Sequence, residues 1–147
     1  MLRVLFNSFI LFVIALLWNG LVHLVILKGF MPIDSQIRRP DFVQMAWLSL
    51  PLTFVLVLLF SIGIKAFVKG GTYREGLMFG LYFGAVAGVL VNFNQYLLYP
   101  IPGYIQLTWF SFGMAEFLVY SLVSILVMFK FNKSITSRSN RPADAVD

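Results

Sequence analysis

Glu116 is the only charged residue in an apolar run that extends from Leu107 to Phe129. The chain's single histidine, His23, lies about one helical turn from Asn19 in another apolar run. Asn92, Asn94 and Gln95 fall toward the end of a third. An acid and a histidine set in hydrocarbon make a proton relay or a cation site. The plainer alternative is glue: buried hydrogen bonds that fix helix register, worth on average about 0.6 kcal/mol each in membranes. The residues leave both open. A catalytic reading is weaker. Paired acids, a Ser/Lys or Ser/His dyad and HExxH are absent from the sequence, and Ser49, near Pro51, has no second base on its own segment. The chain therefore reads as a non-enzyme. With no cysteine, one histidine and six acids it offers no rich metal-ligand set, and no cofactor is expected.

Glu116 sets a strong constraint on its surroundings. A charge at the centre of a membrane helix costs about 2.5–3.5 kcal/mol on insertion scales. Each strongly apolar neighbour returns about 0.3–0.6 kcal/mol, so the segment still inserts. The carboxyl must turn away from lipid and find company. The expected neighbours are His23, Asn19 and Asn92, with Gln95 nearby, in a ligand or proton site.

Four segments can position these groups. Of the 147 residues 60% are hydrophobic and 12% charged, about half the charge of a soluble domain. Crossing a bilayer takes about 20 mainly apolar residues. Segments 4–27, 43–64, 77–98 and 107–129 qualify, and none shows the alternation of a barrel strand. The predicted fold is all-α: an integral membrane four-helix bundle over residues 1–130, followed by a mobile cytoplasmic tail over 131–147. The first segment is too long for a signal-peptide core, and no small-residue cleavage site follows it, so it is expected to be retained.

Lysine and arginine set the orientation. The N-terminus, the second loop and the tail carry one, three and four, eight in all, against three in the first loop and none in the third. This bias places both termini in the cytoplasm. Trp47, Tyr96, Tyr99, Tyr104 and Trp109 then collect at the outer boundary, where amphipathic rings settle. The net charge of +5 is accordingly read as topology and contact with anionic lipid, and no nucleic-acid partner is expected.

Gly76, Gly80, Gly84 and Gly88 recur every four residues in the third segment. Small residues let membrane helices approach closely, so this stripe predicts a helix-packing face. It packs the protein's own bundle or, alternatively, meets a second copy or a partner subunit. Pro51, inside the second segment, predicts a local disturbance of that helix.

The strings Trp18-Asn19-Gly20-Leu21-Val22-His23, Arg39-Pro40-Asp41 with Trp47-Leu48-Ser49-Leu50, and Asn92-Phe93-Asn94-Gln95-Tyr96 running on to Pro100-Ile101-Pro102-Gly103 resemble those of small bacterial four-helix inner-membrane proteins of unknown function. The resemblance covers most of the chain. It implies a multi-pass protein of the bacterial inner membrane and carries no activity with it.

Overall fold

The computed structural model describes residues 1–28 and 41–130. The expected tail over 131–147 and the loop residues Arg38, Arg39 and Pro40 lie outside the described residues. Four helices are long and apolar enough to cross a membrane: α1 (Leu2–Ile26), α2 (Val43–Phe67), α3 (Tyr73–Leu98) and α4 (Gly103–Lys130). No strand occurs among the described residues. The helices run antiparallel in sequence, so the start of α1 and the end of α4 share one end of the bundle, termed proximal. The α3–α4 turn lies at the other, distal end.

Local chemistry sets the helix limits. Pro100 and Pro102 break the chain after α3, and α4 begins at Gly103, four residues earlier than hydropathy alone suggests. Between α2 and α3 the turn is proximal. Gly71 takes φ of +63° there, a left-handed conformation that glycine adopts without steric cost. The Thr72 hydroxyl accepts from the Glu75 N–H at 3.2 Å, while the Glu75 carboxylate accepts from Gly70 N–H at 2.8 Å. Together these cap the first turn of α3 and place an anion at its positive pole. In α2 the residues Ala46–Leu48 tighten into a 3-10 turn just before the helix resumes at Ser49. Pro51 explains this: it has no N–H to give Trp47, and its ring crowds that residue's carbonyl.

Two helical pairs make up the bundle: α1 lies along α2, and α3 along α4. The α3–α4 contact is the tighter, and the glycines are the reason. A Cβ added at Gly80 would lie 2.1 Å from Ser121 Oγ and 2.8 Å from the Phe117 carbonyl oxygen. At Gly76 it would meet Ile125 at 2.6 Å, at Gly84 Met114 Sδ at 3.1 Å, and at Gly88 the Phe110 ring at 2.7 Å. All four glycines face α4 of the same chain. Ser121 Oγ is buried without a hydrogen-bond partner among the described residues but sits against Gly80, where a Cα–H can serve as a weak donor.

Phe60 of α2 joins the pairs. It is fully buried, with ring centroids of Phe79, Phe83, Phe117 and Tyr120 at 5.3–5.8 Å, the range of favourable edge and tilted contacts. Leu11, Ala15, Val57 and Ile64 complete this core. Outward, all four helices present large apolar side chains, among them Leu17, Leu52, Leu90 and Leu107.

Candidate functional site

The inward face of α1 reads Asn7, Leu11, Ala15, Asn19, each one helical turn beyond the last. Polar groups thus stand at its two ends, about 18 Å apart at 1.5 Å per residue, with an apolar layer between them. Each end meets α4, and the two meetings differ.

At the proximal end Asn7 Nδ2 donates to Ser61 Oγ of α2 and to Ser124 Oγ of α4, both at 2.9 Å. The Ser61 hydroxyl in turn donates to the Val57 carbonyl at 2.8 Å. All three side chains are fully buried. One carboxamide therefore ties three helices together, and serine, small enough to let the backbones close in, supplies both acceptors. Asn7 Oδ1 finds no partner among the described residues. This node holds no ionisable group.

At the distal end Asn19 Nδ2 donates to the Ala15 carbonyl at 2.9 Å and reaches across to Glu116 Oε1 of α4 at 3.3 Å. The second contact is long for an N–H···O bond and correspondingly weak. Tyr120, one turn along α4, donates its hydroxyl to the same Oε1. A long side chain on a helix points back toward the N-terminus, so a tyrosine four residues after a glutamate reaches it naturally.

Glu116 borders a cleft of about 90 Å³ between α1 and α4. Trp18, Val22 and His23 line it from α1, and Trp109 and Phe112 from α4. The floor is Gly113, where an added Cβ would meet nothing within 4 Å, so the cleft extends over it. His23 stands exposed on the α1 side, in a widened π turn over Val22–Ile26 that ends the helix. Such turns recur at functional sites because they re-aim side chains. The volume has room for a few water molecules and is well below a drug-sized pocket. Among the described residues no lysine or arginine lines it.

The structure thus gathers Glu116, Asn19 and His23 at one cleft and leaves Asn92 and Gln95 apart from it. Asn92 donates to its own helix, to the Gly88 carbonyl at 3.0 Å, and faces a groove between α3 and α4 of about 350 Å³. This departs from the expectation that Asn92 would reach Glu116. Its segment, Val89–Phe93, is a second π turn, which rotates the end of α3 away from the azimuth that a four-residue repeat would continue. Gln95 is half-buried on the last turns of α3 and lines neither space.

Three polar features escaped the sequence reading. Tyr120 was legible as the residue one turn after Glu116. The Asn7 node carried no signal beyond the presence of polar residues in three segments. Gln106, just outside the predicted segment 107–129, lies in the first turns of α4 and is buried beside Asn92 with neither amide atom bonded among the described residues.

Among the described residues no group of three His, Asp or Glu side chains is placed to hold a metal ion. The chain matches no protein-family model, no curated protein and no solved structure.

Proposed function

We propose that the protein is a non-enzymatic, multi-pass protein of the bacterial inner membrane that binds a proton or a small cation at Glu116. Its termini lie in the cytoplasm, and the cleft belongs to the outer half of the bilayer. The observation that carries this reading is the setting of Glu116. The chain places its one mid-span carboxyl beside a water-sized cleft, with hydroxyl and carboxamide donors on one of its oxygens and a histidine alongside. A purely structural role calls for a closed arrangement like that of Asn7. A carboxyl that must exchange a proton or an ion needs access, and here it has it.

Several features support the membrane placement. The four helices have mean hydropathies of 1.8–2.5 over their most apolar windows, and their outer surfaces are apolar. Large contiguous apolar surface on a protein marks contact with lipid or with other protein. The lysine and arginine bias favours cytoplasmic termini. The apolar layer of Leu11, Ala15, Phe60 and Tyr120 lies between the cleft and the proximal end, which favours a site reached from one side over an open pore. The glycine stripe packs internally, which leaves a partner-subunit role without that contact.

The test is a titration of the purified protein in detergent, followed by the infrared carboxyl band and by tryptophan fluorescence, since Trp18 and Trp109 border the cleft. A carboxyl band that responds to protons or to added cations, and that vanishes in Glu116→Gln, is the expected result. An unchanged response in Glu116→Gln removes the proposal.

A further inference from the structure

Resting on the reading that Glu116 holds a cation, the make-up of the cleft points to a narrower ligand class: we propose that it takes a compact alkylammonium ion rather than a metal cation. Three aromatic side chains, Trp18, Trp109 and Phe112, share the cleft with a single carboxylate. A hydrated alkali or alkaline-earth ion calls for several oxygen ligands to replace its water. Among the described residues, the only side chain here besides Glu116 with an oxygen to offer is Asn19. Aromatic walls act differently. Their ring electrons attract a cation without hydrogen bonds, tryptophan most strongly, and the attraction grows once water is excluded. Quaternary ammonium groups are recognised in this way because they are weakly hydrated and have no proton to donate.

Charge and size agree with this assignment. One carboxylate balances one positive charge, and among the described residues no lysine or arginine lines the cleft wall. A space of about 90 Å³ suits a methyl-substituted ammonium group and excludes a drug-sized cation. Gly113 contributes by having no side chain. The position its Cβ would occupy meets nothing within 4 Å, in contrast to Gly80, where the same atom would lie 2.1 Å from Ser121 Oγ. The glycines of α3 close a helix contact, whereas Gly113 leaves a space open beside the carboxylate and the indoles.

The experiment is equilibrium dialysis of the purified full chain with labelled tetramethylammonium, in competition with sodium and potassium at constant ionic strength. Infrared titration of the carboxyl band in the parent and in Glu116→Gln runs alongside. Saturable binding that sodium and potassium do not displace is expected. Trp109→Leu should lose about tenfold in affinity and Trp109→Phe much less, since an aromatic wall remains. Gly113→Leu, which grows a side chain into open space, should abolish binding while the protein still elutes as a folded species. That variant keeps the test decisive if Trp109→Leu fails to fold. A carboxyl band that titrates through Glu116 without tetramethylammonium binding overturns the alkylammonium assignment and leaves the proton reading intact. Binding that survives unchanged in both Gly113→Leu and Trp109→Leu overturns it as well. A band unaffected by Glu116→Gln overturns the underlying reading and this one with it.

Discussion

Asn7 and Asn19 are the same residue type on the same face of α1, and both reach α4, yet one is locked and the other accessible. Asn7 donates to two serine hydroxyls inside a fully buried, uncharged node. Asn19 is exposed and makes one weak contact to a carboxylate beside a cleft. The difference lies in the residues opposite. Small Ser61 and Ser124 let three backbones close around Asn7. Opposite Asn19, the bulk of Trp109 and Phe112, together with the missing side chain of Gly113, holds α1 and α4 apart at the surface while leaving space between them. Buried hydrogen bonds between helices specify a register, and a polar group beside an open cleft is free to exchange partners. The contrast separates a closed structural contact from an open cleft in one helix pair.

Mutations can break that separation. The largest effect on folding belongs to neither polar site. Gly80→Leu drives a side chain into Ser121 and the Phe117 backbone, which cannot move aside cheaply. Its cost should reach about 3 kcal/mol, the upper end for overpacking, seen as a loss of folded protein in a denaturant titration in detergent. If Gly80→Leu folds like the parent, the close α3–α4 packing is wrong.

Asn7→Ala comes next. It removes two interhelical hydrogen bonds and should destabilise by about 1–2 kcal/mol, given about 0.6 kcal/mol per average bond and at most about 1.7, without altering cation binding. At the cleft the order inverts. Glu116→Gln keeps the shape and an acceptor oxygen, so stability should move by less than about 1 kcal/mol, within the range of a single interhelical hydrogen bond, while proton or cation binding disappears. Tyr120→Phe keeps the ring against Phe60 and Phe117 and loses only the hydroxyl. It should cost about 0.5–1 kcal/mol and shift the infrared band of the Glu116 carboxyl. Gly113→Ala sharpens the comparison most finely. Its methyl enters open space on a helix, where alanine is favoured by up to about 1 kcal/mol over glycine, so thermal stability should hold or rise slightly. A destabilised Gly113→Ala would mean that the cleft is closed in solution.

Much of this was readable along the chain because it follows from local chemistry. Apolar runs of helical length gave four segments close to those observed, within a few residues at most limits. The four-residue repeat of Gly76, Gly80, Gly84 and Gly88 pointed to one packing face, but the sequence left its partner open between this chain and another; the glycines meet α4. Glu116 stood out as the one mid-span charge, and the need to shelter it marked Asn19 and His23 as neighbours. Asn92 belonged to the same set by depth and stripe register, and there the reasoning stopped short. Its carboxamide bonds back to Gly88, and the π turn of Val89–Phe93 changes the rotation of the helix end. Spacing along a helix gives the angle between two residues, but not the angle of the whole helix toward its neighbours.

That distinction divides what each level decided. Residue types and their order settled the number of long apolar helices, the limits imposed by Pro100, Pro102 and Gly71, and the need for Glu116 to find polar neighbours, because each depends on forces acting within one turn or across one segment. The pairing of α1 with α2 and of α3 with α4, the union of Asn7 with Ser61 and Ser124, and the placing of Trp18, Trp109 and Gly113 around one carboxylate arose only in the packed chain. They depend on the distance and rotation at which separate helices meet, and side chains from several segments fix those together.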